Sequence, residues 1–561
     1  MKLLLASLLL LVSTLAVHAQ STASRISKDL DNIPALQMVE VVIQFDNKLF
    51  SDFDKALKGA AVSLKTKFKH IDAITIKVPK ATLSLISKMP GVKYVTPNRS
   101  LRGSLEFAEP GVFANIAYQY NWTGAGIGVA IIDSGVNTQH GDLSTRVVYS
   151  QSFVPNDPST ADAYGHGTHV AGIVAGNAAG STVAGSSRVF RGIAPSANII
   201  NLRVLDATGS GNDIAVISAI DRAVELKGAY NIKVINLSLG RRVTESYTLD
   251  PLCQAVERAW KAGIAVVVAA GNNGRDDSMG TNGYATIGSP ANSPWVITVG
   301  AMRDMNSATR VDDKIASYSS KGPTMLDHVV KPDLVAPGNR IVSALSSPTS
   351  TLPAGYTSQI IQKSYYLAGQ TGNSPYLRLS GTSMAAPMVA GAAALMLQKD
   401  PSLTPDTIKA RLMKTATKTG MTPSFSFQLG SLSKYLQHDV FTVGAGYLDV
   451  WAALNSTDVV PVNRRALSAQ ATRDSAGKTR LTSNNVIWGE NVIWGENVIW
   501  GENVIWGESV LLSGSNVIWG ESVQWGAANT SPFNVIWGTN VSWGTNIFPL
   551  GMSTEGDSDT N

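Results

Sequence analysis

Four short, mainly apolar runs constrain the fold most: Val129-Ala130-Ile131-Ile132, Ile199-Ile200-Asn201-Leu202, Val234-Ile235-Asn236-Leu237 and Ala265-Val266-Val267-Val268. None alternates apolar with polar residues, so each reads as a strand covered on both faces. Helical segments lie between them, for example residues 212–226 and 252–262. Over 112–455 this alternation predicts an α/β domain on a doubly wound, mostly parallel sheet. Reactive groups in such sheets gather at strand C-terminal ends and neighbouring helix N-termini.

The chain is 561 residues long and 44% hydrophobic, enough for several domains. Residues 1–19 combine Lys2, an apolar run and the small-residue exit Val17-His18-Ala19, the pattern of an export signal cleaved after Ala19. The run is shorter than the ~20 residues of a membrane span. A secreted protein, extracellular, periplasmic or on the cell surface, is therefore expected, with no transmembrane span. Residues 20–102 hold a small α+β unit, with strands at 39–45, 73–78 and 92–95 and helices at 52–59 and 81–88. Beyond the central domain, 456–483 is a polar linker. In 484–547 the hexapeptide Asn-Val-Ile-Trp-Gly-Glu runs four times in tandem from Asn485, with looser copies after it, and holds eight of the twelve Trp. A period of six with one glycine per repeat predicts a β-rich tail of stacked or paired short strands, whose partner the sequence does not identify. Residues 548–561 form a tail, polar and acidic from Ser553 on, that is read as disordered.

Composition removes several classes. Charged residues make up only 16%, which excludes a charge-rich disordered chain. A single cysteine, Cys253, excludes a disulfide framework or a multi-cysteine metal site and reads as a buried apolar residue. The net charge of +5 invites a nucleic-acid reading, but residues 20–102 hold 14 Lys and Arg against 7 Asp and Glu. Beyond residue 102 there are 31 Lys and Arg against 34 Asp and Glu. The basic excess belongs to the N-terminal part, no nucleic-acid motif accompanies it, and no nucleic-acid partner is expected.

Three glycine-rich segments carry the chemistry. Asp133 ends the run Gly128-Val129-Ala130-Ile131-Ile132, His166 opens Gly165-His166-Gly167-Thr168-His169, and Ser383 lies in Gly381-Thr382-Ser383-Met384-Ala385-Ala386-Pro387. A serine hydroxyl becomes a nucleophile when an imidazole accepts its proton. The imidazole in turn needs a buried carboxylate to fix its tautomer and stabilise the imidazolium. The order Asp, His, Ser is one of the known orders of this triad.

These segments resemble the Asp, His and Ser signatures of the subtilases, the subtilisin-like serine proteases. Gly192-Ile193-Ala194-Pro195 and the stretch from Lys331 to Gly338 resemble further landmarks of that family, and the likeness covers about 115–455. The resemblance implies a subtilisin-like fold at 112–455. It implies a serine endopeptidase acting on polypeptides through an acyl-enzyme, with Asp133 orienting His166, His166 as general base then acid, and Ser383 as nucleophile. It assigns Asn272 to the oxyanion hole, and Gly209, Ser210, Gly211, Ser238, Leu239 and Gly240 to peptide binding. Ala270 and Gly271 would wall the first specificity pocket. Asp213 falls where relatives often carry an aromatic, which puts a hydrophobic distal subsite in question. The chemistry requires no cofactor, while Asp142 resembles a family calcium ligand, with a solvated turn aspartate as the other reading. His169 reads as a structural histidine. The family likeness also makes 20–102 an inhibitory, ferredoxin-like propeptide, the chain's own inhibitor, cut away between about residues 99 and 109. The alternative to a self-processing protease is a surface adhesion or structural protein whose protease domain is inactive or secondary.

Overall fold

The computed structural model describes residues 112–417 apart from 279, 306–309 and 311, residues 439–473, and shorter stretches within 25–103, 424–437, 479–482, 504–506 and 517–519. The expected signal, the helix at 52–59, most of the repeat region and the final tail lie outside the described residues. Two compact units are formed, one of Met1–Lys67 and Asp72–Pro97, the other of Phe68–Ile71 and Asn98–Asn561.

In the smaller unit, strands Met38–Phe45 (β1), Ser63–Lys67 (β2), Ala73–Pro79 (β3) and Val92–Pro97 (β4) make an antiparallel sheet in the order β2-β3-β1-β4. Val41, Ile43, Ile74, Ile76 and Val95 form its core. The short helix Leu83–Ile86 adds Leu83 and Ile86, three residues apart on one helix face.

In the larger unit, Gly128–Asp133 (β6), Val147–Ser152 (β7), Asn198–Arg203 (β8), Ile232–Leu237 (β10), Ala265–Ala269 (β12), Ile297–Arg303 (β13), Lys314–Ile315 (β14) and Leu334–Pro337 (β15) share one sheet. The path is β14-β13-β12-β10-β6-β8-β7, with β15 also on β13. Only the β13–β14 pair among these is antiparallel. The four apolar runs are four adjacent strands at the sheet centre, β8-β6-β10-β12, which is why none needs a polar face. From β6 the chain builds first outward through β8 and then on the other side through β10. That reversal opens a crevice at the C-terminal end of β6, where Asp133 is the last residue.

Five helices matter for the site: Gly167–Ala175 (α1), Asp213–Leu226 (α2), Pro251–Lys261 (α3), Thr382–Lys399 (α4) and Pro405–Thr415 (α5). Residues 382–397 of α4 are buried without exception, so this helix has no solvent stripe and is rich in Ala and Gly. At Gly391 a Cβ would lie 2.6 Å from that of Ile193, so the backbone packs there with no room for a side chain. Ser100–Gly103 (β5) is the middle strand of a separate antiparallel sheet, between Ser210–Asn212 (β9) and Leu239–Gly240 (β11).

The stretch expected as a linker at 456–483 differs from that reading. Val460, Ala466, Ala469 and Ala471 are buried. The Ser468 hydroxyl donates to Asp333 Oδ1 at 2.6 Å and accepts from Lys409 Nζ at 2.9 Å. Lys331 Nζ reaches the other Asp333 oxygen at 2.7 Å, and all three charged groups are fully buried. Ser468, one of the small polar residues that make this stretch look like a linker, is the hydrogen-bond partner this buried ionic cluster takes from it. Gln470–Arg473 then pairs with Thr479–Thr482. In the repeat region two Val-Ile-Trp segments, Val504–Trp506 and Val517–Trp519, pair antiparallel.

Candidate active site

Asp133 and His166 meet beneath the crevice. His166 Nδ1 lies 2.5 Å from Asp133 Oδ1, and both residues are buried. Glycines make the approach feasible. Gly135 turns the chain after β6 with φ of +109°, and at Gly167 a Cβ would lie 2.2 Å from the Gly135 carbonyl. His166 is the residue at the N-terminal end of α1.

Two residues that sequence reasoning missed hold this corner together. Ser134 donates its hydroxyl to Asp162 Oδ1 at 2.8 Å and accepts the Gly167 N–H at 2.9 Å. Asp162 also accepts the N–H groups of Gly165 and Thr168, at 2.7 and 2.8 Å. Burial raises the Asp162 carboxyl above its ordinary range, against the pull of these donors. An acid placed shortly before a helix start was the available signal, since such a group satisfies the first helical N–H groups.

His169 points away from this chemistry. Its Nε2 lies 3.2 and 3.1 Å from the carbonyls of Ile341 and Leu377, and burial, with His166 nearby, pushes its pKa down to about 3. It is a neutral, structural imidazole. Cys253 is buried in α3, where desolvation pushes its thiol well above the ordinary range.

Ser383 sits in the first turn of α4. Its Oγ donates to the Ser238 carbonyl at 3.2 Å, and its own carbonyl accepts from the Ser238 hydroxyl at 2.7 Å. Pro387 explains the second bond: four residues on, it has no N–H to close the helical turn, and Ser238 takes its place. Asn236 Nδ2 donates to Ser238 Oγ at 3.0 Å and holds that hydroxyl. Asn272 lies beside the start of α4, with Oδ1 accepting the Thr382 N–H at 2.9 Å and its hydroxyl at 3.1 Å. The carbonyl end of the amide is thereby anchored, which orients its NH2 end.

The peptide-binding candidates line the two sides of β5. Leu101 pairs with Gly211 and Arg102 with Ser210, following the turn at Gly209, while Gly103 pairs with Leu239 and Arg102 with Gly240. Ala270 is buried, and its carbonyl accepts from the Gly288 N–H at 3.2 Å. The Gly271 N–H donates to Thr382 Oγ1 at 3.0 Å.

The model described as the subtilase family matches residues 124–431. The chain belongs to the subtilase family. It is a subtilisin-like serine endopeptidase. Serine protease AprX of Bacillus subtilis (strain 168) is 39% identical over 63% of this chain and 76% of that protein. Subtilisin E of the same organism is 34% identical over 65% of this chain and 80% of that protein. Among solved structures, fervidolysin from Fervidobacterium pennivorans, titled a keratinolytic enzyme related to subtilisin, has a TM-score of 0.56 at 23% identity. That match covers 81% of this chain and 65% of that one, and speaks for the fold.

The family likeness pointed to calcium at Asp142, and the surroundings of this residue do not fit it. Asp142 is buried; Oδ1 accepts the Gly180 N–H at 2.8 Å and Oδ2 accepts the Tyr376 hydroxyl at 2.8 Å. Calcium needs six to eight oxygens offering lone pairs, whereas these neighbours offer protons. Burial and then the Asp142 charge push the Tyr376 hydroxyl far up, so it stays a donor. Among the described residues no group of three or more His, Cys, Asp or Glu is placed to hold a metal.

Proposed function

We propose that the protein is a secreted endopeptidase, made as a self-processing zymogen, that cleaves extended polypeptides through an acyl-enzyme. The observation that carries the reading is the buried His166–Asp133 contact of 2.5 Å in the crevice at the end of β6. In this reading Asp133 fixes the imidazole, His166 takes the Ser383 proton and returns it to the leaving amine, and Ser383 Oγ attacks the scissile carbonyl. The Asn272 amide, anchored through Oδ1 on Thr382, serves the developing oxyanion together with the Ser383 N–H.

Substrate binds as a strand between β9 and β11, the β-augmentation mode. Support comes from β5, which is paired in this way to both. A peptide in the same antiparallel register brings the residue after the Gly103 position opposite Ser238, whose carbonyl accepts from Ser383 Oγ. In the chain itself the residue after Gly103 is Ser104, so self-cleavage falls between Ser104 and Leu105. The part released holds the sheet ordered β2-β3-β1-β4, consistent with a ferredoxin-like inhibitory propeptide. Export rests on the signal pattern at 1–19, and among the described residues no helix is long and apolar enough to cross a membrane.

The test is a fluorophosphonate probe applied to the processed protein and to its Ser383→Ala variant. Labelling of the first and none of the second is expected. Wild-type, processed protein that takes no label would remove the enzymatic reading and leave the adhesive one.

A further inference from the structure

Beneath the two peptide-holding strands lies a charged network with no part in the triad. Asp213 follows β9 directly and opens α2, Arg241 follows β11 directly, and Asp250 caps α3 by accepting the Leu252 N–H. Arg241 Nε donates to Asp213 Oδ1 at 3.0 Å, Nη2 to Asp250 Oδ1 at 2.8 Å, and Nη1 to the Arg242 carbonyl at 3.3 Å. Glu245 Oε1 lies 4.0 Å from Nη2. Asp213 and Asp250 are fully buried, and Arg241 is 4% exposed.

The backbone of the same arginine also pairs with Ser289. Its backbone N–H donates to the Ser289 carbonyl at 3.0 Å and its carbonyl accepts the Ser289 N–H at 2.7 Å. The Ser289 hydroxyl donates to Asp250 Oδ2 at 2.7 Å. No side chain cushions this contact: a Cβ on Gly240 would lie 2.9 Å from the Ser289 carbonyl, and one on Gly288 would lie 2.8 Å from that of Arg241.

We propose that Arg241 is a positioning residue for peptide binding, its guanidinium setting the gap between β9 and β11. The proposal rests on the reading of β9 and β11 as the substrate strands. When no peptide lies between them, two strands that flank a one-strand gap, about 10 Å at ~4.8 Å per strand, share no ladder hydrogen bonds. Something outside the ladder has to hold that distance. A planar fork bonded to a carboxylate on each side is stiff in a way a lysine is not, and parting its buried charges would strand them from water. Asp213, where an aromatic would line a distal subsite, is spent on this tie instead.

The experiment compares wild-type, Asp213→Asn and Arg241→Lys, each as processed enzyme with active sites counted by fluorophosphonate labelling. Two substrates are used: a peptide anilide with four residues before the scissile bond, and an ester with one. For both variants KM for the long substrate should rise tenfold or more with kcat within threefold, and kcat/KM for the ester should stay within threefold of wild type. A loss of equal size on both substrates, or no change on the long one, overturns the proposal. If Asp213→Asn yields no labelled enzyme, Asp213→Glu, which keeps the charge and displaces it by a methylene, is read by the same criterion. Wild-type enzyme that cleaves neither substrate would instead overturn the underlying reading of function.

Discussion

Ser468→Ala tests whether residues 458–471 belong to the folded protease. The hydroxyl joins two buried charges of opposite sign, giving a hydrogen bond to Asp333 at 2.6 Å and taking one from Lys409 at 2.9 Å. Burial lowers the pKa of Lys409, and it lowers that of Lys331 to about 7. Burial also works against the Asp333 charge, but the two lysines outweigh it and hold that carboxyl below its ordinary range. Hydrogen bonds to charged groups contribute roughly 1.5–3 kcal/mol each. Losing both while leaving their partners in place should destabilise by about 3–6 kcal/mol, or on the order of 5 °C in Tm for a domain of this size. The assay is thermal unfolding in a Ser383→Ala background, where self-digestion cannot intervene. Two truncations frame the result. Ending the chain at 483 removes the repeats and should leave Tm within about 2 °C. Ending it at 457 also removes buried Val460, Ala466, Ala469 and Ala471 and should lower stability by more than Ser468→Ala does. Equal Tm values for the 457 and 483 truncations would refute the reasoning and return residues 458–471 to the status of a linker.

Other outcomes follow from the same geometry. Asn272→Ala should lower kcat by about 10²–10³ with KM little changed, as the oxyanion role proposed for its amide requires; an equal rise in KM would count against it. Asp133→Asn should lower kcat by about 10⁴ with His166 still in place. Edman sequencing of the processed form should begin at Leu105, and any other start would contradict the register of β5. Asp439, buried and bonded to the Tyr284 hydroxyl and the N–H groups of Phe441 and Thr442, has its pKa raised by burial to about 6. A raised carboxyl stabilises the fold below its unfolded pKa of about 3.8, and that contribution is lost as pH rises through 6. Between pH 4 and pH 6 the protein should therefore lose on the order of 2–3 kcal/mol relative to Asp439→Asn. Denaturant titrations at the two pH values, in the Ser383→Ala background, would check this.

Much of the fold was legible because periodicity reports burial. The runs at 129–132, 199–202, 234–237 and 265–268 carry no polar alternation, and all four are central strands. Asp133, His166, Ser383 and Asn272 were legible as types in a pattern: a carboxylate at a strand end, an imidazole and a hydroxyl at helix starts, an amide in a glycine-rich turn. Contacts between distant segments were not. Asp162 acts on the His166 corner through Ser134, and Ser238 trades hydrogen bonds with Ser383 across 145 positions. The Pro387 that forces this exchange is visible in the sequence, but its donor is not.

Local chemistry and its order along the chain are sequence properties: which runs are strands, where helices start, which residue types can form a nucleophile, base and orienting acid. Those are properties of a residue and its near neighbours, so reading along the chain reaches them. What a polar side chain does depends on what the fold brings within 3 Å of it, and only the tertiary structure decides that. Asp142 meets two donors, which do not fit a calcium ligand, and Asp213 meets Arg241. Ser468 meets Asp333 and Lys409, and a stretch with the composition of a linker becomes part of the core.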